Sequence, residues 1–379
     1  MPSVVKLDSN MQGNYHYEEE RIRFVSLQEP GIRVSGLLGY KEDGSFDRLT
    51  GKYREILKGV NPALVVLGRE TAGGQISFRS DTGSLWIRVE LENTAELYHM
   101  TACGQCGFDC YVGRDRKDLL FLGVTRFDIT KKSYQCELLS PDAIGAFNAS
   151  RQGNCEGERP VNEFLINFPL YCHVVKVEIG IDRDASLTLP SPYEREGSLV
   201  LYGTSITQGA CASRPGLCYA GILGRKLNLE TYNFGFSGNG LGEPEVADLL
   251  AEIENPLLYL LDYAANAMVY DRLEPTLEHL IRRIRKAHPR TPVVVVSRIP
   301  DVFAFLDPVK GAEYERQFVF QRDMASRMQE ELGQVYFIDG RKLFPKDCWE
   351  LTVDALHPTD VGFASMAENM LGEIEKILG

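Results

Sequence analysis

A serine at the end of an apolar run, and an aspartate and a histidine three residues apart near the C-terminus, invite one chemistry. Ser205 follows Leu199-Val200-Leu201-Tyr202-Gly203-Thr204, a short apolar stretch that reads as a strand, and Gly209 follows soon after. A serine hydroxyl is a weak nucleophile until a base takes its proton. The chain has six histidines. His279 and His288 belong to an amphipathic helix and its basic end, whereas His357 sits in the loop TVDALHPTD ahead of the last predicted helix. Asp354 precedes it by three residues. That spacing sets a carboxylate beside the imidazole, where it can accept from Nδ1–H and leave Nε2 for the serine proton. Alone, D-x-x-H-P is also a loop turn closed by Pro358. Beside a strand-end serine it reads as the rest of a nucleophilic triad.

Acyl transfer through such a serine needs donors aimed at the developing oxyanion. Two further strand ends offer them. NFGFSGNG follows the second strand, and its Gly238 can bring a backbone N–H close to a ligand. LDYAANA follows the third, and Asn266 can point its amide into the same site. Singly, these are also a glycine-rich turn and a helix cap. Together with Ser205 they place a suitable residue at three consecutive strand ends.

The elements that must position these residues fall into two kinds. In the first half apolar residues alternate with polar ones. Leu85, Ile87, Val89 and Leu91 face one way in SLWIRVEL, and Val175, Val177 and Ile179 alternate with Lys176 and Glu178 in VVKVEIG. GGQISFRS, LLFLGVTRFD and SYQCELLS read as further short strands. With no convincing helix between them, these predict an antiparallel β-sandwich over residues 1–190. Trp86 reads as packing within its strand. TLPSPYEREGS then reads as a linker.

From 198 to 379 strands and helices alternate. Strands are expected at Leu199–Tyr202, Thr231–Phe234, Leu257–Leu261, Val293–Ser297 and Val335–Ile338. Val246, Leu249, Leu250 and Ile253 form one helical stripe, Leu277, Leu280, Ile281 and Ile284 a second, and Phe363, Met366 and Met370 a third. The pattern implies a parallel sheet covered on both faces, with ligands outside the carboxyl ends of its strands.

Composition bounds the partners. Residues are 44% hydrophobic and 25% charged, and the formal net charge is −12. That balance argues against nucleic acid, which is held by basic patches. No apolar stretch approaches the ~18 residues of a membrane span. The opening MPSVVKLDSNMQGNYHYEEER lacks an apolar h-region, which leads us to expect a cytoplasmic protein. Nine cysteines, an odd number, fit a reduced compartment better than a disulfide framework. Cys103, Cys106 and Cys110, with His99 nearby, could be counted as zinc ligands, but no second CxxC follows and they read as buried thiols. Cys211 and Cys218, in the loop after Ser205, read as packing residues with room for a redox effect.

The second half resembles the SGNH, or GDSL-type, hydrolase superfamily. Gly203-Thr204-Ser205 matches its G-D-S block with Thr in place of Asp. Ser237-Gly238-Asn239 matches the second block, and Asp354 with His357 matches D-x-x-H. Where the family has G-x-N-D, this chain has Ala264-Ala265-Asn266-Ala267. GFDCYV, from Gly107 to Val112, is similar to the G-x-D-L-Y motif of a β-rich domain found before some SGNH domains, with Cys110 replacing Leu. The resemblance implies a jelly-roll-like sandwich followed by a three-layer, flavodoxin-like α/β domain. It also implies hydrolysis of esters, often acetyl groups on sugars, without a cofactor or metal. An α/β-hydrolase elbow, G-x-S-x-G, is not met, because Thr207-Gln208 stands where its second Gly would fall. GTSITQG likewise lacks the dinucleotide-binding G-x-G-x-x-G.

The expected enzyme uses Ser205 as nucleophile, His357 as base and Asp354 to orient it. The Ser205 and Gly238 N–H groups and the Asn266 amide form the oxyanion hole. Its expected substrates are small acyl esters, those on carbohydrates among them. A thioesterase or lysophospholipase on the same triad is one alternative, and a glycan-binding protein with an inert hydrolase domain is another. The oligomeric state is left open.

Overall fold

The computed structural model describes residues 8, 12–151, 159–267, 271–346 and 349–379. Strands are numbered in chain order. Two antiparallel sheets come from the first half. One has the order β1 (Ile22–Ser26), β9 (Val174–Asp182), β4 (Leu85–Leu91), β7 (Ser133–Leu139). The other has the order β2 (Arg33–Ser35), β3 (Gln75–Ser80), β8 (Asn162–Asn167), β5 (Asp109–Gly113), β6 (Leu120–Val124). Alternate residues of the two sheets share one core: Ile87, Val89, Ile179 and Ile181 from the first, Ile76, Phe78, Phe164 and Ile166 from the second. Trp86, on the opposite face of β4, is also buried and packs on Tyr17.

Besides Val175, which is exposed because a register shift between β4 and β9 turns Val174 inward instead, the first half departs from its reading in its helices. It contains helices at Leu38–Asp43, Gly51–Val60, Pro62–Gly68, Ala102–Cys106 and Pro141–Arg151. Gly51–Val60 and Pro62–Gly68 do not cover the sandwich. Their Tyr53, Leu57 and Leu64 enter a core shared with the parallel sheet. Pro62 occupies the first helical position, where its missing N–H costs nothing, and the Asn61 side chain accepts from Ala63 N–H as the cap.

The second half builds a parallel sheet ordered β11 (Glu230–Gly235), β10 (Ser198–Gly203), β12 (Pro256–Asp262), β13 (Val293–Val296), β14 (Val335–Ile338). Strands buried on both faces need apolar residues at successive positions. Val200, Tyr202, Tyr259 and Leu261 face one layer, which includes helices Pro244–Ala251, Leu273–Ala287 and Pro308–Leu332. Leu199, Leu201, Leu258 and Leu260 face the other, with helices Tyr219–Leu227 and Asp360–Leu378. Phe363, Met366 and Met370 of the last helix are fully buried there. The order is the flavodoxin-like 2-1-3-4-5, so the chain reverses direction of winding around β10 and opens a crevice at its carboxyl end. Among the described residues no helix is long and apolar enough to cross a membrane.

Candidate active site

Three neighbouring strands, β11, β10 and β12, end side by side. Gly203 of β10 pairs with Gly235 of β11 and Asp262 of β12. The residues that follow therefore gather at one edge of the sheet. Thr204 caps the helical turn Ser205–Gln208, its hydroxyl accepting from Ile206 N–H at 3.2 Å. That turn lies so close to β11 that a Cβ on Gly235 would collide with the Gln208 backbone nitrogen. Only glycine lets the turn fold back over the strand end. As the first residue of the turn, Ser205 has a backbone N–H with no intrahelical acceptor.

Ser205 Oγ lies 2.9 Å from His357 Nε2, and His357 Nδ1 lies 2.7 Å from Asp354 Oδ2. The second Asp354 oxygen accepts from the backbone N–H of His357 at 2.8 Å and of Leu356 at 3.2 Å. A bond from Val353 N–H to His357 O closes this loop at 2.8 Å. Burial alone would raise the Asp354 pKa. The His357 backbone N–H and ring outweigh burial and hold the carboxyl below its ordinary value, so it stays a charged acceptor.

The other two predicted residues flank the same strand ends. Gly238 adopts φ +68°, is exposed, and has open space where a side chain would project. Its loop is pinned by Phe236 N–H to Gly203 O at 3.0 Å and by Ser237 N–H to Gln208 Oε1 at 3.0 Å. Asn266 is half-buried, and its Oδ1 accepts from Gly240 N–H at 3.3 Å. That bond engages the oxygen and leaves Nδ2 as the donor end of the amide.

Sequence reading missed the residues that hold this edge in place, because most come from the first half. Arg48, 1% exposed, donates to the carbonyls of Glu70, Asn233, Gly235 and Leu67. Glu70 accepts from Gln208 Nε2, and burial pushes its pKa up to about 7 against the Arg48 charge and the Gln208 amide. Asp262 lies buried beneath the Ser205 turn and accepts from Tyr219 OH at 3.0 Å. Burial pushes its pKa up to about 7, against hydrogen bonds from Tyr219 and Thr207.

A second brace runs through GFDCYV. Asp109, fully buried in β5, accepts from Arg214 at 2.6 Å, Gly216 N–H at 2.8 Å and Asn167 Nδ2 at 2.7 Å. Tyr111, two residues on and so on the same face of the strand, takes a further bond from Arg214 at 2.7 Å. Arg214 and Gly216 belong to the loop after Ser205. The similarity of GFDCYV to the G-x-D-L-Y motif marked Asp109 and Tyr111 in the sequence without assigning them this role.

The cysteine cluster resolves differently from its spacing. Cys106 and Cys110 are buried free thiols and Cys103 is half-buried. His99 does not join them. Its ring lies edge-on to His357, 5.4 Å between centroids. Cys218 is buried and caps helix Tyr219–Leu227 through Gly221 N–H, whereas Cys211 is buried near Asp354.

A narrow crevice beside the turn is lined by Ile206, Ala265, Ile299, Leu356 and Met366. The exposed Phe303, Phe305 and Leu306 lie on the short helix Val302–Leu306, just beyond its Arg298–Asp301 wall. A much larger concavity, about 790 Å³, lies elsewhere. It opens at the amino ends of β10 and β11, around Lys41, Tyr193, Ser198 and Glu230, far from the reactive edge, so size is a poor guide to the chemistry here.

Residues 196–375 match the GDSL-like Lipase/Acylhydrolase family, and residues 22–187 match GxDLY, the N-terminus of Esterase_SGNH_hydro-type. No curated protein sequence matches the chain. Among solved structures, one described as a GDSL-like lipase from Bacteroides ovatus ATCC 8483 is 28% identical, with a TM-score of 0.80 over 94% of this chain and 98% of that one. The salicylyl-acyltransferase SsfX3 from a tetracycline biosynthetic pathway is 18% identical, with a TM-score of 0.73 over 95% and 98%. A family two carbohydrate esterase from Cellvibrio japonicus is 14% identical, with a TM-score of 0.57 over 94% and 98%.

Proposed function

We propose that this chain, whose two halves match a GDSL-like acylhydrolase and a GxDLY N-terminal domain, is an ester hydrolase that cleaves small acyl esters, acetyl groups on carbohydrates foremost, through Ser205, His357 and Asp354. The observation that carries the reading is the continuous relay from Ser205 Oγ to His357 Nε2 at 2.9 Å and from Nδ1 to Asp354 Oδ2 at 2.7 Å.

In this mechanism Ser205 Oγ attacks the ester carbonyl while His357 Nε2 takes its proton. The Ser205 and Gly238 N–H groups and Asn266 Nδ2 stabilise the oxyanion. Collapse breaks the carbonyl–alkoxy bond, and His357 hands its proton to the departing alcohol. Water then attacks the acyl-enzyme, giving one proton to His357, and Ser205 leaves with that proton restored. Asp354 remains ionised, fixes the tautomer and stabilises imidazolium.

The short acyl group is supported by the narrowness of the crevice between Ile206, Ala265 and Leu356. The sugar is supported by the fold shared with carbohydrate esterases. The test compares hydrolysis of p-nitrophenyl acetate, acetylated sugars, acyl-thioesters and a C12 ester by wild type and Ser205→Ala. We expect turnover of acetyl esters that disappears in the variant. Wild-type turnover by Ser205→Ala would refute the nucleophile, and faster cleavage of the C12 ester or the thioester would refute the substrate class. Glycan binding without turnover of any ester would favour the inert-domain alternative.

A further inference from the structure

Four donors of the kind that hold zinc meet at the reactive edge: His99, Cys211, Asp354 and His357, with one ligand atom of each within 4.8 Å of the others. They come from separate stretches of chain, so no local spacing advertises the set. His99 arrives from the loop after β4, Cys211 from the loop after the nucleophile turn, and the other two from the loop before the last helix. Two nitrogens, a thiolate and a carboxylate suit a borderline divalent ion. Zinc–ligand bonds of ~2.0–2.3 Å place tetrahedral donors about 3.5 Å apart, so a small inward closure of the four side chains completes the shell. A second observation points the same way. His99 Nδ1 is buried and has no hydrogen-bond partner among the described residues, a state that buried polar atoms seldom keep.

We propose that His99, Cys211, Asp354 and His357 form an inhibitory zinc site whose occupation disarms the esterase. The inhibition follows from geometry whichever His357 nitrogen is taken. Nε2 serves Ser205 and Nδ1 serves Asp354. An ion on the first removes the base from its serine, and an ion on the second removes the carboxylate that orients it. Binding also expels the Cys211 thiol proton to solvent, because the thiolate is the ligand. The ion is a brake on this chemistry and takes no part in it.

The inhibitory half rests on the reading of His357 as the base, and the site itself does not. The experiment therefore uses two readouts on the full, chelator-treated chain. Titration with Co²⁺ should give the near-ultraviolet thiolate-to-cobalt band together with intense tetrahedral visible bands. Titration with Zn²⁺ should suppress p-nitrophenyl acetate hydrolysis, and EDTA should restore it. Each variant is scored against its own zinc-free rate. Cys211→Ala should lose the thiolate band, and both Cys211→Ala and His99→Gln should need at least about tenfold more zinc for half-inhibition, the loss of about 1.4 kcal/mol of binding. A cobalt spectrum without a thiolate band, or undiminished zinc sensitivity in both variants, overturns the site. Cobalt binding through the thiolate with zinc-insensitive turnover overturns the inhibition. If the chain hydrolyses no ester, the cobalt spectra of wild type and Cys211→Ala still decide whether the site exists.

Discussion

Replacing Asp109 by alanine tests whether the β-rich half holds the loop after Ser205 or merely sits beside it. The carboxylate is fully buried and accepts three hydrogen bonds, from Arg214, Gly216 N–H and Asn167. Its removal leaves the Arg214 guanidinium, whose side chain is 15% exposed, without its counter-charge. Breaking one side of a buried pair costs about 3–5 kcal/mol, because the remaining charge stays desolvated. At roughly 2–4 °C per kcal/mol for a large domain, the melting temperature should fall by about 6–20 °C. Replacing both partners, Asp109→Leu with Arg214→Met, should recover part of that loss, since no charge is then stranded. The assay is a thermal melt followed at constant protein concentration, with p-nitrophenyl acetate turnover measured well below the transition. Turnover should drop in Asp109→Ala even where the protein is folded, because Gly216 and Arg214 anchor the loop that leaves the Ser205 turn. A melting point within 2 °C of wild type in Asp109→Ala, or a double variant less stable than the single one, would refute the reasoning.

Three further outcomes are expected. Asp354→Asn should lower kcat by about 10⁴-fold with KM little changed, as loss of the orienting carboxylate does in Ser-His-Asp enzymes; a loss below tenfold would remove Asp354 from the relay. Asn266→Ala should cost about 10²–10³ in kcat if its amide binds the oxyanion, and an effect confined to KM would assign it to ground-state binding. Stability measured by urea unfolding should fall as pH rises from about 4 to about 7 through Glu70 and Asp262, whose folded pKa values both stand near 7. Folded chains hold those protons where unfolded chains have released them, so the advantage is complete in acid, is lost on the way to pH 7, and levels off above. Asp354, held low, acts in the opposite sense and withdraws stability only as acid protonates it below its ordinary range. Glu70→Gln and Asp262→Asn should each flatten the slope between pH 4 and 7; slopes equal to wild type would refute the assignment.

What the sequence displayed was set by how local each signal is. Asp354 and His357 are three residues apart, and Ser205 directly follows a strand, so neighbouring letters carry their geometry. The strands of the parallel sheet were readable because burial on both faces demands unbroken apolar runs. β8 was not, because its six residues are all buried yet include Asn162, Glu163 and Asn167, whose partners lie far off in sequence: Arg114 for Asn162 Oδ1, Ser191 for Glu163 Oε2 and Gln75 for Asn167 Oδ1. The helix Gly51–Val60 was obscured by Gly51 and Gly59, and the layer it joins belongs to the other half of the chain. His99 is the extreme case. Nothing near it in sequence hints that its ring meets His357, since that contact exists only once the two halves dock.

Arg48 bears on how such a protein could be taken apart. β11 is the outer strand of the parallel sheet, and an open strand edge invites pairing with another chain. The guanidinium of Arg48 reaches across from the first half and occupies the Asn233 and Gly235 carbonyls of that strand. A hydrolase half expressed from residue 196 onward would lose this plug, together with the Glu70 contact that steadies Gln208. Its border would be sticky and its Gly238 loop slack. The two halves are therefore poor candidates for exchange as separate cassettes, and a chimera that grafts a new front half onto this sheet must bring its own arginine.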